Sequence, residues 1–366
     1  MLAKFFRTAG GGWFIISKML GEIWMKKKIL ALLLIGIVIG LVTGCTGSDS
    51  KATNNTSSSD KKTLYFIPIV DTGAYWSPMK KAAEERAKEL GYNLVFKTSP
   101  PSESQKNEKH IGFLQEAISS GAVGIAIAPM DPDMFDRKVK EAKDAGLPIV
   151  TFDADVKTKE NRAAYVGTDN KLAGEELGKK AAEYLKGKGI KNGKIALAAV
   201  NLTQTTMTYR QDGIKKGFES VMGADAQGFT WLEPIQDNDQ ASESKRQMEG
   251  QITSNPDMIA VFSLGSEGPD TGVMEAIKSQ GKSGKIYHFG FDYTPTWENG
   301  IKEGLITGIV DQDSYAIGKT IIDVMDKIIK KEKIQDNYPV PVKWVEANQI
   351  VEYGKDKQKQ FTNETK

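Results

Sequence analysis

One cysteine in 366 residues, Cys45, excludes a disulfide framework and any cysteine-built metal centre. The only two histidines, His110 and His288, stand far apart with no serine–carboxylate arrangement around either, so no hydrolytic triad is visible. The pattern G-x-x-x-x-G-K-[ST] is missing, and no G-x-G-x-x-G follows the first strand candidate, which removes the usual phosphate cradles. A formal net charge of only +2 leaves no footprint for nucleic acid. Long apolar runs are scarce too. The one that stands out, 29–42, has 14 residues, short of the roughly 20 that a spanning helix needs.

That run follows Met25 and Lys26-Lys27-Lys28 and ends in Val42-Thr43-Gly44-Cys45. The order of basic, apolar and small residues reads as a signal peptide. Its end resembles a bacterial lipobox, which implies cleavage before Cys45 and a lipid on that sulfur, so that the protein hangs on the membrane without spanning it. A signal complete from Met25 predicts that translation starts there, within a leader of 1–44. This leader holds six of the 49 basic and one of the 47 acidic residues, leaving 43 against 46, so the basic character belongs to the leader. Residues 46–60 carry no large apolar side chain and cannot bury a core, so 45–61 is expected to be a lipidated cysteine on a flexible tether. The Lys- and Gln-rich tail 353–366 reads as disordered.

From residue 63 short β-branched or apolar runs alternate with longer amphipathic stretches. This is the pattern of strand–helix–strand units on a parallel sheet. Strands are predicted at 64–70, 94–97, 123–128 and 148–152, with helices at 76–90, 105–120 and 134–145. Gly91, Gly121 and Gly146 stand where left-handed helix stops are wanted. The same grammar restarts after Val166 and continues through a helix at 314–329. About 300 residues of it predict an α/β protein of two doubly wound, Rossmann-like lobes. In such sheets ligands bind beyond the carboxyl ends of the strands. Those ends carry Asp71, Tyr75, Trp76, Asp153, Asp155, Arg210, Asn238, Glu267, Asp292 and Gln312. Carboxylates accept hydroxyl hydrogens, guanidinium and amide groups donate to oxygen lone pairs, and aromatic rings cover C–H faces, a mixture that suits a polyhydroxylated ring. Trp231 and Trp297 are open between ligand contact and packing.

From about 63 to 351 the chain resembles the ribose- and galactose-type periplasmic binding proteins, whose fold is shared with the ligand-sensing half of LacI-type repressors. The carrying segments are Asp71-Thr72-Gly73-Ala74-Tyr75-Trp76, Pro148-Ile149-Val150-Thr151-Phe152-Asp153, Tyr165-Val166-Gly167-Thr168-Asp169-Asn170 before Gly174, Arg210 with Gly213, Phe289-Gly290-Phe291-Asp292, and Asp311-Gln312. The resemblance implies a three-segment hinge, an N-terminal lobe of 62–167 plus 313–340, and a C-terminal lobe of 168–312 plus 341–352. It implies that Tyr75 and Trp76 clamp a sugar ring, Asp153 and Asp292 accept hydroxyl hydrogens, Arg210 donates, and Gln312 contributes near the hinge. Gly73, Ala128 and Gly265 stand where relatives often carry asparagine, and Ala154 where ribose binders carry an arginine, which argues against ribose itself.

The function implied is an extracytoplasmic, lipid-anchored, monomeric binding protein that captures a monosaccharide or polyol and delivers it to an ABC importer. The rival reading is a sensor that docks on a membrane kinase or chemoreceptor. Thr151-Phe152-Asp153-Ala154-Asp155 also resembles autoinducer-2 and rhamnose binders, although Arg210-Gln211 departs from the Asp-Gln pair of the former. A repressor is excluded by a signal peptide where a helix-turn-helix belongs. An enzyme is disfavoured, because the carboxylates lack a paired nucleophile or metal. Asp237-Asn238-Asp239-Gln240 hints at the calcium loop of some galactose binders, but the sixth-position glycine and later acidic ligands are missing, so no metal and no cofactor is expected.

Overall fold

The computed structural model describes residues 62–99, 105–265 and 267–361. The expected leader 1–44, the lipidated Cys45 and the tether to 61 lie outside the described residues. The first half runs β1 (Thr63–Ile67), α1 (Trp76–Glu89), β2 (Asn93–Phe96), α2 (Lys106–Ser119), β3 (Gly124–Ile127), α3 (Pro132–Asp144), β4 (Ile149–Phe152) and β5 (Ala164–Gly167). The second continues with α4 (Asn170–Gly187), β6 (Gly193–Ala199), α5 (Thr205–Met222), β7 (Phe229–Trp231), β8 (Ile235–Gln236), α6 (Ala241–Ser254), β9 (Met258–Ser263), α7 (Gly268–Ser279), β10 (Tyr287–Phe291), α8 (Pro295–Ile301) and β11 (Gly308–Gln312). After it come α9 (Ser314–Ile329), β12 (Asn337–Pro339), β13 (Val342–Glu346) and α10 (Ile350–Phe361). Gly91, Gly121 and Gly146 stop the first three helices with positive φ, as the spacing predicts.

Two sheets result. One has the order β12-β5-β4-β3-β1-β2 and is parallel throughout. The other has the order β13-β11-β10-β9-β6-β7, with β8 also on β6, and its antiparallel member is β13 on β11. The chain passes between the sheets three times, after β5, after β11 and after β12.

Each sheet is buried on both faces, which is why its strands are apolar almost continuously. In β1, Leu64 and Phe66 enter one core while Tyr65 and Ile67 enter the other. In β6, Ile195, Leu197 and Ala199 face one helical layer while Ala196 and Ala198 face the opposite one. This two-residue alternation follows from the pleat. Each fully buried large apolar side chain contributes about 1.5–3 kcal/mol. Aromatic contacts knit the layers, with Phe66 and Phe152 ring centres 4.7 Å apart and Phe262 and Phe289 5.3 Å apart.

The expected disordered tail is overturned as far as residue 361, because Ile350–Phe361 is helical. Ile350 is buried in the second core, the Tyr353 hydroxyl donates to Asp311 at 2.5 Å, and Lys357 is 6% exposed. Mean composition pointed to solvent, but these three side chains point inward. Residues 362–366 lie outside the described residues.

Candidate ligand-binding site

The strand ends of both sheets converge, and their backbones are unusual there. Six described non-glycine residues have positive φ, and five of them stand at these ends: Asp153, Asn238, Asp239, Glu267 and Asp292. Such a conformation costs of order 1–3 kcal/mol per residue, and it persists where a site requires a side chain to leave its strand in a set direction.

Asp153 follows β4 at φ 63° and Asp292 follows β10 at φ 62°. Burial raises both carboxyls, Asp153 to about 6, with the charge of Asp292 adding to the shift of Asp153 and that of Asp311 to the shift of Asp292; Arg210 opposes the shift in both. The Asp292 Oδ1 atom accepts from Gln312 Nε2 at 2.8 Å, and its carbonyl accepts from Trp297 Nε1 at 2.9 Å. Arg210 is 4% exposed. Its Nε donates to Asn170 Oδ1 at 2.8 Å and its Nη1 to the Leu264 carbonyl at 2.7 Å, while the guanidinium carbon sits 4.1 Å from the Phe291 ring centre. Two of five N–H donors are thereby committed to the protein, which orients the plane and leaves the others for a ligand oxygen.

Arg210 reaches this place because α4 and α5 touch backbone to backbone. A methyl group on Gly174 would overlap the Arg210 carbonyl, and one on Gly213 would overlap the Lys171 carbonyl. The glycines that carried part of the family resemblance thus set the depth of the arginine.

Tyr75 and Trp76 stand at the start of α1, half-buried, with ring centres 5.0 Å apart and planes at 85°. The Tyr75 hydroxyl is pushed well up by burial and by the charges of Asp153 and Asp292. Tyr75, Trp76, Asp153, Arg210, Asp292 and Gln312 therefore form one group drawn from both sheets.

The other predicted residues fare differently. Glu267, at φ 69°, reaches across from the second sheet, its Oε1 lying 2.7 Å from where a side chain on Gly73 would begin. This is why the first loop carries glycine. Asn238 is exposed and its side chain accepts from Gln236 at 3.0 Å, at the edge of the group. Asp237 and Asp239 accept from the backbone of Asp239 and Gly268, fixing that turn. Asp71 joins no hydrogen bond or ion pair among the described residues. Asp155 is held within its own lobe. Its Oδ1 accepts from Thr151 at 2.6 Å, Val156 at 2.9 Å and Arg162 Nε at 2.9 Å, so its carboxylate serves the first lobe's own framework. Trp297 is fully buried beneath Asp292, and Trp231 packs on the second core, so both are packing residues.

Sequence reasoning missed several supports. Asn170, at the start of α4, orients Arg210. Asp270 is fully buried near Asp292, and burial pushes its carboxyl well up. Each histidine does meet a serine, His110 with Ser99 at 3.1 Å and His288 with Ser263 at 2.8 Å. Both rings are fully buried, and burial lowers them to about 4 and about 3, which keeps them neutral packing groups.

The model of the periplasmic binding protein domain matches residues 64–333. The chain is 30% identical over 299 residues to the ribose import binding protein of Salmonella typhimurium, covering 80% of this chain and 94% of that one. Among solved structures it superposes on a glucose-galactose binding protein from Geobacillus stearothermophilus, with a TM-score of 0.70 at 24% identity over 80% of this chain and 99% of that one. It also superposes on a carbohydrate transporter solute binding protein from Agrobacterium radiobacter in complex with D-arabinose, with a TM-score of 0.71 at 22% identity over 82% and 99% of the two chains. At those identities the structures speak for the two-lobed α/β fold. With a family model spanning most of its length, the chain belongs to the periplasmic binding protein family.

Proposed function

We propose that this protein captures a monosaccharide or related polyol between its lobes and delivers it to an ABC importer. One observation carries the reading: Asp153 from the first lobe and Asp292 from the second share the field of one oriented guanidinium, Arg210. A ring with hydroxyls on opposite edges satisfies both carboxylates at once. Its differential contacts with the closed form then hold the lobes together.

In this reading Trp76 and Tyr75 cover a C–H face, Asp153 and Asp292 accept hydroxyl hydrogens, Arg210 donates, and Gln312 holds Asp292. The lobes are 62–167 plus 313–340 and 168–312 plus 341–352, which makes the segments around Thr168, Gln312 and Pro341 the hinge. The ribose and glucose-galactose specificities named for relatives support the ligand class. The leader and the lipobox-like Cys45 support an extracytoplasmic protein tethered to the outer face of the membrane. The protein is read as a binder and not an enzyme, a reading that the solute-binding relatives support.

The test is a thermal-shift screen of the purified protein against pentoses, hexoses, deoxy sugars and polyols. A ligand at 100 times its dissociation constant stabilises the fold by about 2.7 kcal/mol. One sugar class raising the melting temperature supports the reading; no shift from any of them overturns it.

A further inference from the structure

Beside the carboxylate–arginine group lies a second space. A cavity of about 690 Å³ opens between the end of β4, the first crossing after β5 and the first turns of α5. Of the ten predicted site residues, only Asp153 and Asp155 reach its wall; Trp76, Arg210, Asp292 and Gln312 do not. The cavity is therefore a neighbour of the one-ring site and shares Asp153 with it. Its volume falls in the range of about 300–1,000 Å³ that accommodates drug-sized ligands, larger than one sugar ring requires.

Its walls are built for a polar, ring-shaped guest. Thr168 is 3% exposed, lines the cavity, and its Oγ1 is buried without a hydrogen-bond partner among the described residues. A buried hydroxyl left alone is costly unless something meets it. Thr205 and Thr206 add hydroxyls from the opposite lobe. Tyr209 also lines the space and is 53% exposed, unusual for so large a ring. It precedes Arg210 on α5, and neighbours on a helix point about 100° apart. One turn of helix thus sends the arginine to the buried group and the tyrosine to the cavity.

We infer that the ligand extends beyond a single ring: a disaccharide or glycoside whose terminal sugar is held by Asp153, Arg210 and Asp292, and whose second unit lies on Tyr209 and meets Thr168. This rests on the sugar-capture reading and deepens it. Aromatic stacking with polar groups at the rim is the chemistry by which a sugar face and its hydroxyls are recognised together.

The experiment is isothermal titration of the purified protein with D-glucose, D-galactose, D-ribose and D-arabinose, each beside its methyl and phenyl glycosides, and with maltose, cellobiose and lactose. The expected result is that at least one disaccharide or phenyl glycoside binds tenfold or more tightly than its parent monosaccharide. Tyr209→Ala should reduce that advantage while leaving the monosaccharide affinity in place, and Tyr209→Phe should retain it. If monosaccharides bind and every glycoside is excluded or gains nothing, the inference falls while the capture reading stands. If no sugar of either kind binds, both fall.

Discussion

The ammonium of Lys357 lies 2.6 Å from Asp311 Oδ2, with side chains 7% and 3% exposed, in a helix that follows the last strand. The same Nζ donates to the Gln312 carbonyl at 3.0 Å, and Asp311 also receives the Tyr293 amide at 2.7 Å. The helix is thus fastened to the strand end from which the chain leaves the second sheet.

A buried pair broken on one side leaves an uncompensated charge, at a cost of about 3–5 kcal/mol. Lys357→Met should therefore lower unfolding stability by about that amount, read from denaturant midpoints. The double change Lys357→Met with Asp311→Asn should lose less than the sum of the two single changes, because the orphaned charge goes with its partner.

Asp153 is raised to about 6 by burial, and a sugar hydroxyl needs its ionised form as acceptor. Protons then compete with ligand below that value. Affinity measured by calorimetry should be level near pH 7–8 and fall below pH 6, by at most about tenfold per pH unit for one group. Asp153→Asn should bind weakly at every pH and flatten the profile.

Asp270 is buried, and its carboxyl is raised, so the native state holds this proton more readily than the unfolded chain does. Stability from this group is present at low pH and declines as pH rises above the ordinary carboxylate range. Asp270→Asn keeps the shape and removes the titration. Its melting temperature should exceed that of the parent by more at pH 8 than at pH 4.

Gly174 lies against the Arg210 carbonyl with no room for a methyl group. Gly174→Ala should push α4 from α5 and displace the guanidinium. Overpacking of this kind costs about 1–3 kcal/mol, and sugar affinity should fall with it. A Gly187→Ala control, at a position with nothing within 4 Å, should leave both unchanged.

The fold was legible where its causes are local. Alternating β-branched runs, amphipathic stretches and glycine stops are properties of neighbouring residues, so most strands and helices through 314–329 could be read directly, while the short strands β5 and β8 were not. The places of Asp153 and Asp292 were legible because each follows the apolar run of a strand, β4 and β10. What escaped depends on tertiary partners. Asp155 looks like Asp153 in sequence, and only the approach of Arg162 shows that it is committed to the lobe. The helix at Ile350–Phe361 was hidden by its lysines and glutamines, because inward-facing Ile350, Tyr353 and Lys357 are spread among them. Asn170 and Trp297 act through the residues they hold, which no spacing rule reports.

Calorimetric titration of the sugar that gives the largest thermal shift, on the parent protein and on Asp153→Ala and Asp292→Ala, tests the bridging ligand most directly. A hydrogen bond to a charged group is worth about 1.5–3 kcal/mol, roughly a ten- to hundredfold change in affinity. The predicted result is a loss of that size or more in each variant, one from either lobe. Undiminished affinity in either variant, with the protein still folded, would contradict a ligand held between the lobes.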